Sequence, residues 1–108
     1  MKSKILLIFS IFILSFNVFS NSNTNSNEKF KLAKSYLEQK EYVKAEKIYL
    51  ELAKKKDVHA IYNLGYLYME QGKIIEGEKY YKMAADMGYD DAMFNLAIVR
   101  TLATLVVR

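Results

Sequence analysis

The chain repeats itself at an offset of 32 residues, and this constrains its fold more than any other feature. Shifted by that offset, Leu32, Tyr36, Glu38, Gln39, Glu46, Lys47, Tyr49 and Ala53 fall on identical residues. These are Leu64, Tyr68, Glu70, Gln71, Glu78, Lys79, Tyr81 and Ala85. The register continues, with Ala60, Asn63 and Leu64 falling on Ala92, Asn95 and Leu96. A unit of this size cannot bury an apolar face alone, so self-similarity at this period predicts units that stack on their neighbours. The expected fold is all-α: an α-solenoid of antiparallel helix hairpins, about two and a half repeats long.

Apolar spacing places the hairpins. Phe30, Leu32, Ala33, Tyr36 and Leu37 recur at three and four residues, as one face of a helix requires. Gln39, Lys40 and Glu41 interrupt the pattern, and Val43, Ala45, Ile48, Tyr49, Leu52 and Ala53 resume it. In the second unit Ile61, Leu64, Gly65, Leu67 and Tyr68 form the first helix and Gln71-Gly72-Lys73 the turn. Ile74, Gly77, Tyr80, Tyr81, Ala84 and Ala85 form the second helix, closed by Gly88. A third helix of the first type starts near Asp90, where Asp90 and Asp91 suit a helix start. Its inner face is expected to hold Met93, Leu96 and Ala97. No proline interrupts these helices.

Small residues recur in register too. Ala33, Gly65 and Ala97 share one position, and Ala45 and Gly77 share another. Small side chains are needed where helices cross closely, and Tyr36, Tyr68, Tyr49 and Tyr81 would fill the space beside the crossing. Leu32, Leu64, Ala84, Gly88, Ala92 and Leu96 complete the expected packing set.

The first 20 residues follow a different logic. Lys2 and Lys4 precede an apolar run from Ile5 to Leu14, and Val18 and Ser20 supply small residues before a cleavage point. This is the pattern of a secretory signal peptide at 1–20, cleaved after Ser20. The apolar run is short for a membrane span, which needs ~20 residues, so contact with a membrane is expected only through this segment if it stays uncleaved. Residues 21–27 read as an Asn/Ser-rich linker, leaving 28–108 as the repeat domain. The expected location is therefore secreted or periplasmic. No cysteine is present, so an exported domain would rely on packing rather than disulfides.

Composition excludes several classes of function. The net charge of +4 falls to +2 once Lys2 and Lys4 leave, too mild and too scattered for nucleic acid. The run Lys54-Lys55-Lys56 sits at an expected helix end, where cations complement the dipole. His59 is the single histidine, and no His/Cys/Asp/Glu set has metal-ligand spacing. Asp86, Asp90 and Asp91 lack the alternation of a calcium loop. No phosphate-binding glycine loop and no nucleophile set occurs. The expectation is a non-enzymatic protein without catalytic residues, metal or cofactor.

Leu64-Gly65-x-x-Tyr68, Gly72 and Tyr81-x-x-Ala84 resemble the tetratricopeptide repeat. Ala60-x-x-Asn63-Leu64-Gly65-x-Leu67-Tyr68 with Lys82-Met83-Ala84-Ala85-x-x-Gly88-x-x-x-Ala92 is similar to its Sel-like subfamily. The resemblance runs from about Lys29 to Val99. Its first unit is looser, with Ala33 for the glycine and Leu52 for an alanine. The period is slightly shorter than the family's, and the third unit stops after its first helix. The resemblance implies a concave groove lined by the first helices and holding an extended peptide or a partner's helix. Carried over by register, its groove positions are Lys31, Lys34, His59, Tyr62, Asn63, Tyr66 and Asn95, with Glu70, Asp91, Phe94 and Ile98 beside them. Asn63 and Asn95 suit a peptide because an amide both donates and accepts; a bond within the hairpin would use the same groups.

The segment from Ala97 to Val107 is apolar, whereas a terminal repeat normally presents a polar outer face. It is expected to support self-association or the docking of a partner. Together these readings describe an exported helical-repeat scaffold that binds a protein or peptide in the bacterial cell envelope. The alternatives are an accessory or regulatory subunit of an envelope enzyme that binds cell-wall polymer, and a truncated repeat remnant.

Overall fold

The computed structural model describes residues 24–107, all of which lie in helices or the short connections between them. The expected signal peptide at 1–20 and its cleavage point lie outside the described residues. Five helices follow in order: α1 (Thr24–Glu38), α2 (Tyr42–Lys54), α3 (Val58–Glu70), α4 (Ile74–Asp86) and α5 (Asp90–Val107). Each packs mainly on the helices before and after it in the chain. α1 starts earlier than the sequence suggested, so Thr24–Asn27 of the Asn/Ser-rich stretch form its first turn. Short hydroxyl and amide side chains suit such a turn because they can accept from its free N–H groups.

All four connections have the same geometry. At the end of α1, the Lys40 N–H donates to the Leu37 carbonyl (3.0 Å) and the Glu41 N–H to that of Tyr36 (2.8 Å). The same pair of bonds recurs at Lys56/Asp57, Gly72/Lys73 and Gly88/Tyr89. This is the Schellman closure, which needs a left-handed residue just past the helix. Gly72 and Gly88 hold that position at φ 74° and 89°, with open space where a Cβ would lie. The equivalent residues one repeat earlier are Lys40 and Lys56, both at φ 60°. A side chain there costs about 1 kcal/mol. Lys56→Gly is therefore expected to raise stability by about 0.5–1 kcal/mol, read as a higher urea midpoint. A lower midpoint would refute the strain assigned to this turn.

Helix α3 is central, with six of its thirteen residues buried. Ala60, Leu64, Leu67 and Tyr68 join Ala33, Ala45, Tyr49 and Leu52 in one apolar cluster with α1 and α2. Ile61 joins Tyr81, Ala84, Ala85, Ala92 and Leu96 in a second cluster with α4 and α5. Asp57 starts α3, its carboxylate accepting from the backbone N–H groups of His59 (3.0 Å) and Ala60 (3.3 Å). The acid beside the lone histidine is thus a helix cap.

Most of the expected packing positions are buried: Ala33, Ala45, Tyr49, Leu64, Gly65, Tyr68, Gly77, Tyr81, Ala84, Ala92 and Leu96, while Tyr36 is half-buried against the first cluster. Several expectations need correction. Leu32 is 47% exposed although its counterpart Leu64 is fully buried, because α3 is covered on two sides and α1 packs chiefly on α2. Gly88 is exposed and serves the turn rather than the packing. Val43 is 82% exposed, as is its counterpart Ile75 at 83%, since both stand in the first turn of their helices, away from the neighbouring helix. Met93 and Ala97 are also exposed, for α5 packs principally on α4 and turns only Ala92 and Leu96 fully inward.

Candidate functional site

A cleft of about 470 Å³ opens between α1 and α3. Lys34, Leu37 and Glu38 of α1 and Lys40 of the following turn form one wall. Tyr62, Asn63, Tyr66 and Glu70 of α3 form the other. Tyr62, Tyr66 and Glu70 follow one another at four residues and Asn63 lies three before Tyr66, so one side of the helix presents all of them. Two lysines and two glutamates balance in charge around the cleft, beside Leu37 and the two tyrosines. Such a lining suits a neutral, partly apolar chain with hydrogen-bonding groups better than a strongly charged ligand. Tyr66 is 43% exposed. The neighbouring Glu70 carboxylate, with a smaller contribution from burial, holds its phenol above the usual range. Tyr66 therefore stays a neutral hydroxyl at physiological pH, able to donate and to accept.

Of the positions expected to line a groove, the fold brings Lys34, Tyr62, Asn63, Tyr66 and Glu70 together. Lys31 and His59 do not line the cleft. Lys31 is exposed on α1. His59 sits at the other end of α3, its ring edge-on to Phe30 (6.4 Å) and Tyr89 (5.3 Å). Asn95 is already engaged: its amide donates to the Tyr62 hydroxyl at 2.8 Å and ties α5 to α3. The bond within the repeat array therefore describes Asn95, whereas Asn63 faces the cleft. Asp91, Phe94 and Ile98 lie on α5, away from the cleft.

The sequence reading missed Leu37, Glu38 and Lys40. Glu38 was detectable, being the register equivalent of Glu70. Lys40 was not, because its place depends on a left-handed backbone that nothing in a lysine signals.

Aromatic rings pack beside α3 in two groups. Tyr62 contacts Tyr81 (5.5 Å between centroids) and Tyr89 (4.9 Å). Tyr68 stacks on Tyr80 (5.4 Å) and donates its hydroxyl to Glu46 at 2.7 Å. One register further on, Arg100 donates to Glu78 at 3.2 Å. Glu46 and Glu78 thus make the same clasp onto the next helix, with Tyr68 and Arg100 as equivalent partners. These contacts tie α3 to α2 and α4, and the regular turn of α3 sets the spacing of Tyr62, Asn63 and Tyr66.

Among the described residues, no three His, Cys, Asp or Glu side chains converge as metal ligands. No described helix is long and apolar enough to cross a membrane. No protein-family model, curated protein or solved structure matches this chain.

Proposed function

We propose that this chain is an exported, non-enzymatic helical-repeat scaffold of the tetratricopeptide, Sel-like kind, built as an α-solenoid. Its role is to hold an extended segment of another protein of the bacterial cell envelope. One observation carries the reading: Lys34, Tyr62, Asn63, Tyr66 and Glu70, separated by up to 36 positions in sequence, line one open cleft. Aromatic residues enriched at protein interfaces stand there beside an amide whose donor and acceptor match a peptide bond. The register equivalence of both the Schellman turns and the glutamate clasps supports the repeat architecture. The apolar pattern of residues 5–14, behind Lys2 and Lys4, supports export.

The test is selection of peptides from a displayed library on the immobilised protein, followed by calorimetric titration. Asn63→Ala/Tyr66→Ala is expected to weaken the selected peptides at least about tenfold, the loss of roughly 1.4 kcal/mol. Equal binding by the variant, or no selected peptide, would refute the cleft as a peptide site. Binding to purified cell-wall polymer alone would point instead to the accessory-subunit reading.

A further inference from the structure

The repeat places the same three-residue polar station twice, and only the second copy satisfies itself. There the Tyr62 ring packs on Tyr81 at 5.5 Å between centroids, and the Asn95 amide of the next helix donates to the Tyr62 hydroxyl at 2.8 Å. Burial raises the Tyr81 phenol, and a hydrogen bond from Asn95 draws it partly back. One amide thus serves both hydroxyls.

One register earlier the corresponding residues are Phe30, Tyr49 and Asn63. The rings keep their arrangement, with Phe30 packed on Tyr49 at 5.8 Å. Phe30, however, has no hydroxyl to hold the amide. Tyr49 is fully buried in the cluster shared by α1, α2 and α3, and its hydroxyl has no hydrogen-bond partner. A buried hydroxyl left unpaired is destabilising. After burial, the next influence on the Tyr49 phenol is the carboxylate of Glu38, which lines the cleft between α1 and α3. Asn63 lines the same cleft.

We propose that a neutral carbonyl of the segment held in the cleft replaces the hydroxyl that Phe30 lacks, accepting from the Asn63 amide and so turning that amide onto the Tyr49 hydroxyl. The inference rests on the cleft as a peptide site and names the group recognised there. The position calls for an acceptor, because the Tyr62 oxygen at the equivalent place accepts from an amide N–H. A carboxylate is disfavoured, since the charge of Glu38 already reaches this spot. Tyr49 is a positioning residue: it acts through Asn63 and gains a partner only when the carbonyl is bound.

Titration of N-methylacetamide, a single peptide group, into the full chain labelled with nitrogen-15 tests this by magnetic resonance. The side-chain amide signals of Asn63 are expected to shift, while those of Asn95, whose partners are internal, stay in place. Phe30→Tyr supplies the hydroxyl from within, so it should abolish the Asn63 shift and raise the thermal midpoint. Tyr49→Phe removes the unpaired hydroxyl, so its midpoint should hold or rise while the Asn63 response weakens at least about fivefold. A tyrosine that merely filled the core would not separate stability from binding in this way. Asn63 signals that stay still in the parent, or that shift equally in Phe30→Tyr, would overturn the proposal. The cleft itself is judged apart from this. Library-selected peptides weakened by Asn63→Ala/Tyr66→Ala, but bound by Phe30→Tyr as by the parent, would keep the peptide site and remove the carbonyl station.

Discussion

Above pH 10 the protein is expected to lose its helical structure in one cooperative transition, centred well before its lysines are fully discharged. The cause is buried tyrosine. Tyr49 is fully buried, its hydroxyl has no hydrogen-bond partner, and burial pushes its phenol up to about 12, with a smaller contribution from Glu38. Tyr81 is likewise pushed up to about 12, again chiefly by burial. Tyr68 is raised by burial and then by its bond to Glu46. In the unfolded chain each ionises near its ordinary value of about 10. Between about 10 and 12 the folded state keeps protons that the unfolded state gives up, so stability falls as pH rises through that window and is whole below it. Each tyrosine removes about 1.4 kcal/mol per pH unit. Three together remove about 4 kcal/mol by pH 11, a large part of the ~5–10 kcal/mol expected for a domain of this size. Tyrosinate absorbance and circular dichroism, followed together, check this. The two signals should change in step, and full tyrosine ionisation near pH 10 with the helices intact would show that these phenols are not held by burial.

Gly65→Leu is expected to be the most damaging single substitution in the helices, costing about 3 kcal/mol or more. A Cβ on Gly65 would lie 2.5 Å and 2.7 Å from two atoms of the Tyr81 ring. Tyr81 is 3% exposed and packs on Tyr62, whose hydroxyl holds Asn95. The ring cannot retreat without displacing the contact between α3 and α5. Gly77 gives the contrast. A Cβ there would meet Met69 Cε at 2.7 Å, Cγ at 2.9 Å and Sδ at 3.0 Å, but an unbranched thioether chain can change rotamer where a wedged ring cannot, and the first repeat already has Ala45 at the equivalent place. Gly77→Ala should therefore be neutral, or stabilising through the better helix propensity of alanine, about 1 kcal/mol. Thermal unfolding of the two variants separates a close approach that is obligatory from one that is optional. An unchanged midpoint for Gly65→Leu would refute the assignment.

The repeat made the helices legible because its periodic text specifies which residues must face inward wherever a helix has neighbours on both sides. For α3, covered by α2 and α4, the expected inner face is the observed one. For α1 and α5 the same pattern misled. Leu32, Met93 and Ala97 occupy buried-type positions, yet among the described residues each of these helices packs chiefly on one neighbour. Sequence periodicity records the face a helix offers, not whether anything covers it. The same limit applied to the cleft. Tyr62, Asn63 and Tyr66, which the family resemblance implied as groove positions, line the cleft from α3, while Leu37 and Lys40 reach it from another helix and from a left-handed turn that the resemblance did not single out.

What the amino-acid sequence by itself determined is the all-helical class, the number and placement of the five helices to within a few residues, and the small-against-large register that lets them cross. These follow from local spacing, propensity and the 32-residue repeat. Only the tertiary structure decided two further things: that Asn95 is spent on Tyr62 while Asn63 faces the cleft, and that Lys40 and Lys56 bear a glycine's backbone conformation. Each depends on how close two segments approach in space. That distance is fixed by the simultaneous packing of all five helices, and no single stretch of sequence contains it.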